Sequence, residues 1–134
     1  VSKQQFVIDC SAFMSLFLDD EQSSSMDLML HEIHVPGHFY LECLNVLRIS
    51  LLRKRITPEA STECITILRD LDFHCDRFIS MPESLLLITR LSQQYSLTSY
   101  DAAYLELALR LHIPLITRDK GLRQACEAAK VELV

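Results

Sequence analysis

Pro114-Leu115-Ile116-Thr117-Arg118-Asp119 decides how this chain is read. A continuous apolar run of this kind is the pattern of a strand buried in a parallel sheet. The acid behind it stands beyond the carboxyl end of the strand, where ligands gather in open α/β sheets. The same order recurs near the other terminus, where Phe6-Val7-Ile8 is a strand core and Asp9 follows it.

Working outward, apolar strand-like runs alternate with helical periodicity. Ser11–Leu18 predicts a short helix, and Asp19 to Ser25 a polar break. Met26–Glu32 resumes helical spacing, and Ile33-His34-Val35 is a short strand stopped by Pro36-Gly37. His38–Arg55 reads as a long, strongly apolar helix. Thr57 caps the next, with Pro58 at its first position, and this helix runs to about Leu71. Asp72–Ile79 predicts a strand, Pro82–Tyr95 a helix, Thr98–Leu111 another, Lys120–Ala129 a last helix, and Val131–Val134 a final strand. Strands separated by helices require crossover connections, so the expected fold is α/β, with a mostly parallel sheet between helical layers.

Length and composition agree. With 134 residues, 49% hydrophobic and 23% charged, the chain is expected to form one compact domain over 1–134. Two glycines and four prolines are too few for a long linker. The longest apolar runs fall well short of the roughly 20 residues of a membrane-spanning helix, and the first residues lack the apolar core of a signal peptide. The expected location is cytoplasmic. Five cysteines, an odd number with no Cys-x-x-Cys pair, argue against a disulfide framework or a zinc site and read as small buried hydrophobes. A net charge of −5 argues against coating nucleic acid by bulk charge. It leaves open an enzyme acting on phosphodiesters, because bound divalent ions change the local field.

Four acids stand out. Asp9 and Asp119 terminate strands, and either also reads as a helix cap. Asp101 lies in Thr98-Ser99-Tyr100-Asp101, a capping-box pattern. Glu42 is the only charged residue between Phe39 and Leu47, on a helix apolar almost all round, so it faces either a narrow strip of solvent or a cation. Asn45 lies three residues on, able to share that pocket. In an α/β layer fold these positions can converge on one rim. Converging carboxylates would raise one another's pKa unless hard cations, which prefer oxygen ligands, resolve the repulsion. No Cys/His ligand set is visible in the sequence.

The blocks around these acids resemble a known family. Val7-Ile8-Asp9-Cys10-Ser11 looks like the opening Asp-x-Ser of PIN domains, and Leu41-Glu42-Cys43-Leu44-Asn45-Val46-Leu47 resembles their Glu-x-x-Asn-x-Leu helix. Leu97-Thr98-Ser99-Tyr100-Asp101-Ala102-Ala103-Tyr104-Leu105 is similar to the Leu-(Ser/Thr)-x-Tyr-Asp-Ala-x-Tyr-Leu block of VapC-type toxins. Leu115-Ile116-Thr117-Arg118-Asp119-Lys120-Gly121-Leu122 is similar to their Leu-x-Thr-x-Asp-x-x-Leu block. The blocks follow family order along nearly the whole chain, while Leu71 to Pro82 carries no diagnostic residue. The resemblance implies a PIN-like three-layer α/β/α sandwich. It also implies a ribonuclease that binds Mg²⁺ or Mn²⁺, usually the toxin of a type II toxin–antitoxin pair. It gives the metal-holding, catalytic role to Asp9, Glu42, Asp101 and Asp119, and supporting polar roles to Ser11, Asn45 and Thr117. It further implies a homodimer and a small antitoxin whose segment covers the site. Phe13-Met14-Ser15-Leu16-Phe17-Leu18 and the second helix could form a surface for such partners, with core burial as the plainer account.

Arg118, Lys120 and Arg123 follow the last buried strand and could hold an RNA backbone. Arg48 with Arg53-Lys54-Arg55 is a second basic group, equally well read as favourable charge at a helix C-terminus. The expected chemistry is metal-assisted hydrolysis of an RNA phosphodiester, with Ser11 or Thr117 as hydrogen-bonding support. Two rivals are a receiver-like signalling module and an RNA- or partner-binding PIN-like domain without activity. The first lacks a clear acidic pair and a middle phosphorylatable Asp. The second is disfavoured because all four acids are present.

Overall fold

The computed structural model describes residues 3–18 and 28–134. Among them four parallel strands form one sheet in the order β3-β2-β1-β4: β1 (Gln5–Ile8), β2 (Glu32–Pro36), β3 (His74–Asp76) and β4 (Leu115–Ile116). Among the described residues six α-helices join and flank them: α1 (Cys10–Leu18), α2 (Phe39–Leu52), α3 (Pro58–Asp70), α4 (Leu85–Tyr95), α5 (Ser99–Leu111) and α6 (Lys120–Ala129). This is the expected α/β architecture. Consecutive residues Phe6, Val7 and Ile8 are all buried, so both faces of β1 are covered, as a parallel central strand requires. From β1 the chain moves to β2 on one side and later returns to β4 on the other. The reversal opens a crevice beyond the carboxyl ends of β1 and β4.

Local chemistry sets most boundaries. Thr57 and Thr98 cap α3 and α5 by accepting the N–H groups of Ala60 and Asp101, both at 3.1 Å. The α2 helix stops at Leu52, three residues before the expected Arg55. Lys54 takes a left-handed φ of 54°, and the Arg55 N–H turns back to the Ser50 carbonyl at 2.8 Å. The basic run therefore lies at this helix C-terminus, where its charge is favourable.

Four expectations are corrected. The polar break from Asp19 to Ser25 lies outside the described residues, as do Met26 and Asp27. The rest of the expected 26–32 helix is one 3₁₀ turn, Leu28–Leu30. Glu32 already opens β2, because its N–H pairs with the Gln4 carbonyl at 2.9 Å. The strand expected over 72–79 shrinks to His74–Asp76, since the Asp76 carboxylate accepts the Phe78 N–H at 3.0 Å and turns the chain into a 3₁₀ segment. Pro82–Ser84 is likewise 3₁₀, so α4 starts at Leu85. The final strand reduces to one bridge, Leu133 beside Leu115.

The core contains Phe13 of α1 against Phe39 of α2 and Phe73, in edge-on contacts at 5.6 and 6.0 Å. Of the cysteines, Cys10, Cys43, Cys64 and Cys126 are buried and Cys75 is exposed. Among the described residues no helix is long and apolar enough to cross a membrane. One buried charge unnoticed in the sequence is Glu106, only 3% exposed. Arg110 donates to it at 2.9 Å, grips Asp76 at 2.7 and 3.1 Å, and lies 5.0 Å over the Phe78 ring. The cluster ties α5 to the end of β3.

Removing one member of such a pair strands the other in a dry site. Arg110→Met is expected to destabilise the fold by about 3 kcal/mol in urea titration, and the double change with Glu106→Leu to recover most of that loss.

Candidate active site

Asp9 follows β1 and starts α1. Its carboxylate is buried and takes three donors. Oδ1 accepts from the Ser11 hydroxyl at 2.8 Å and the Ala12 N–H at 2.9 Å, and Oδ2 accepts from the Thr117 hydroxyl. Burial raises its pKa most, the three hydrogen bonds work against this, and the Asp119 charge adds to the rise; the result lies above the usual range. Ser11 and Thr117 share a second feature. Each hydroxyl accepts a backbone N–H, of Arg118 and Asp119 respectively, both at 3.0 Å, and gives its proton to Asp9. The two supporting hydroxyls therefore lock the β1 and β4 ends together.

Asp119 is the N-cap of α6, with Oδ2 accepting the Leu122 N–H at 2.8 Å. Asp101 lies in the first turn of α5. Burial raises its pKa to about 6, and the carboxylates of Asp119, Glu42 and Asp9 push in the same direction against a hydrogen bond from Thr98. The structure thus brings Asp119, Glu42 and Asp9 within electrostatic reach of Asp101, and Asp119 within reach of Asp9.

Glu42 is in the first turn of α2. Its Oε1 accepts from the Tyr104 hydroxyl at 2.7 Å and from His38 Nε2 at 3.0 Å. His38 Nε2 also meets the Tyr100 carbonyl at 3.1 Å. Both of these partners are acceptors, so Nε2 carries the proton. Burial alone would raise the pKa of Glu42, but the hydrogen bonds and the His38 charge outweigh it and lower it. The sequence reading offered solvent or a cation as the partner of Glu42 and missed these two donors. Their signals were present: His38 precedes Glu42 by four residues on one helix, and Tyr104 closes the Tyr-Asp-Ala-x-Tyr block. The apolar residues that made α2 look sealed point outward instead, with Leu41 71% and Leu52 64% exposed.

Asn45 is exposed, and among the described residues no hydrogen bond joins it to the acids. Arg118 and Lys120 are exposed at the rim. The Arg123 guanidinium donates to the Thr117 carbonyl at 3.1 Å, so it braces the end of β4 as well as lining an open cavity of about 260 Å³ with Thr117, Arg118 and Ser15. In the Phe13–Leu18 run, Phe13 and Met14 are core while Phe17 is exposed.

The donor set suits a hard divalent cation. It is all carboxylate oxygen, and Asp9, Glu42 and Asp119 are each held by protein donors while keeping coordination capacity. Three donors fill Oδ1 of Asp9 and one lone pair of Oδ2, leaving the second. Both donors to Glu42 fall on Oε1, leaving coordination to Oε2.

Two outcomes follow. Thr117→Val should destabilise the protein by about 1.5–3 kcal/mol, whereas Thr117→Ser should lose less than about 1 kcal/mol, read from urea midpoints. The raised pKa of Asp101 means that the folded state binds more protons than the unfolded chain between about pH 4 and pH 6. Metal-free stability contributed by this group therefore falls as pH rises through that window. Asp101→Asn should gain about 1–2 kcal/mol over the wild type in EDTA at pH 8, after allowance for solvent screening, and nothing at pH 4.

Over 136 aligned residues the chain is 29% identical to proteins named Ribonuclease VapC12 from Mycobacterium tuberculosis strains CDC 1551 / Oshkosh and ATCC 25618 / H37Rv, covering 96% of this chain and 98% of each relative. Its fold matches the crystal structure of PAE2754 from Pyrobaculum aerophilum with a TM-score of 0.72 at 20% identity, covering 91% of this chain and 84% of that one. The PIN domain family model matches residues 6–128, and the chain belongs to the PIN domain family.

Proposed function

We infer that this PIN domain, read as one unit over residues 1–134, is a ribonuclease that hydrolyses RNA phosphodiester bonds with Mg²⁺ or Mn²⁺. One observation carries the reading: Asp101 is half-buried with the charges of Asp119, Glu42 and Asp9 acting on it, and burial together with these three carboxylates raises its pKa to about 6. A site so charged is costly without a cation and well suited to one. When bound, a divalent cation supplies the positive charge that activates water and stabilises the phosphate and the leaving oxygen.

The chain's own residues do the rest. Ser11 and Thr117 fix the Asp9 carboxylate, and Tyr104 and His38 fix Glu42. Asp101 and Asp119 are aimed by the helices they begin. Fixed oxygens need no rearrangement as the reaction proceeds, which is the main contribution such a site makes. Arg118 and Lys120 at the rim, with Arg123 beside them, offer charge for the RNA backbone.

The name of the mycobacterial relatives supports a further step: that this chain is the toxin of a VapBC-type toxin–antitoxin pair, acting in the cytoplasm. The exposed leucines of α2, Leu41, Leu44 and Leu52, with Phe17 of α1, suit a homodimer contact or an antitoxin segment. A receiver-like module has no support from a PIN family match.

With purified protein and Mn²⁺ or Mg²⁺, RNA should be cleaved, and Asp9→Asn or Asp101→Asn should each reduce the rate by about 100-fold or more. Full-rate cleavage by either variant would refute the assignment. A monomer by light scattering at micromolar concentration would count against the dimer.

A further inference from the structure

The sheet carries a second cluster of metal-binding side chains, away from the carboxylates of the crevice. Glu32 and His34 alternate along β2 and so project from one face. His34 is the register partner of His74 on β3, so the two imidazoles leave the same face side by side, stacked at 4.8 Å between centroids with planes 22° apart. One ligand atom from each of Glu32, His34 and His74 lies within 4.8 Å of the others. On β1, Gln5 pairs in register with Glu32, and its Oε1 lies 2.9 Å from His34 Nε2.

We propose that Glu32, His34 and His74 bind a borderline transition-metal cation of the Zn²⁺ class, clipping the edge strand β3 to β2. Two imidazoles and one carboxylate are a donor set that hard ions such as Mg²⁺ do not favour and that Zn²⁺ does, with a fourth position left to water. Ligand atoms around tetrahedral Zn²⁺ stand about 3.3 Å apart, given bonds of about 2.0–2.1 Å. Closing from 4.8 Å takes a modest side-chain shift, open to the exposed His74 and half-buried Glu32. His34 needs less freedom. Gln5 holds its ring by a hydrogen bond of the kind that orients ligating imidazoles.

The strand being clipped is short. β3 has three residues and lies at the sheet edge. Its far end is anchored by Asp76 to Arg110, whereas its first residue is His74, so a metal would secure the end that lacks that anchor. None of these residues belongs to the four-acid crevice, and the two sites would choose different ions.

The test uses the full chain, stripped with EDTA and dialysed, then titrated calorimetrically with ZnCl₂ in excess Mg²⁺ to occupy oxygen-only sites. One Zn²⁺ should bind and raise the melting temperature. His34→Ala and His74→Ala should each weaken binding more than about 10-fold, and Gln5→Ala by about 10-fold, while Asp101→Asn should leave it unchanged. In the wild type, Zn²⁺ should shift the imidazole ¹⁵N resonances of His34 and His74, a readout that needs no substitution. Absence of Zn²⁺ binding under these conditions, or binding that leaves both imidazoles unshifted, would overturn the proposal.

Discussion

The Thr117 hydroxyl donating to the Asp9 carboxylate is the contact on which the rest of the site depends. It joins the end of β1 to the end of β4, residues more than a hundred positions apart in sequence. Strand pairing brings the two ends close, with the Asp9 N–H on the Ile116 carbonyl at 3.1 Å. The side-chain bond then aims Asp9 and, through the Asp119 N–H on the same Thr117 oxygen, sets the start of α6. Ser11 repeats the arrangement from the other strand, accepting from Arg118 and donating to Asp9. A buried carboxylate with a raised pKa is tolerated because three donors are built around it.

The same economy extends to all four acids. Each sits at the beginning of a helix: Asp9 at α1, Glu42 in the first turn of α2, Asp101 in that of α5 and Asp119 as the cap of α6. Helix N-termini carry partial positive charge and unpaired N–H groups, so each acid is locally favourable where it stands. Their mutual repulsion is the unfavourable part, and at Asp101 it adds to burial in raising the pKa. Capping and metal holding are therefore not competing readings of these residues. In Asp9 and Asp119 the capping bond occupies one lone pair of the carboxylate and leaves others open.

Much of this was legible in the sequence. The run Pro114 to Asp119 and its counterpart Phe6 to Asp9 carried the parallel sheet, because a strand covered on both faces must be apolar throughout. Asp9, Asp101 and Asp119 were marked by position relative to strands and caps. The supporting hydroxyls of Ser11 and Thr117 were marked by the family blocks. Other features depended on partners distant in sequence. His38 and Tyr104 became visible as holders of Glu42 only once α2 and α5 met. Glu106 looked like an ordinary helical Glu until Arg110 and Asp76 were placed around it. The 72–79 segment was read as too long a strand because a side-chain turn at Asp76 leaves no trace in hydrophobic pattern. Asn45 shared a helix with Glu42 but not its surroundings, and spacing alone did not resolve which way that helix faced. The His34–His74 pair is invisible in sequence for the same reason: strand register, not spacing, makes them neighbours.

The central claim is that four carboxylates form one divalent-cation site whose repulsion the cation relieves. Calorimetric Mn²⁺ titration at pH 6 and pH 8, run in buffers of different ionisation enthalpy, tests it most directly because it counts protons as well as ions. The account predicts proton release on binding at pH 6, where Asp101 is half protonated, little release at pH 8, and loss of the pH 6 release in Asp101→Asn. Mn²⁺ binding with the same proton count at both pH values, or binding of unchanged strength in Asp101→Asn, would contradict it.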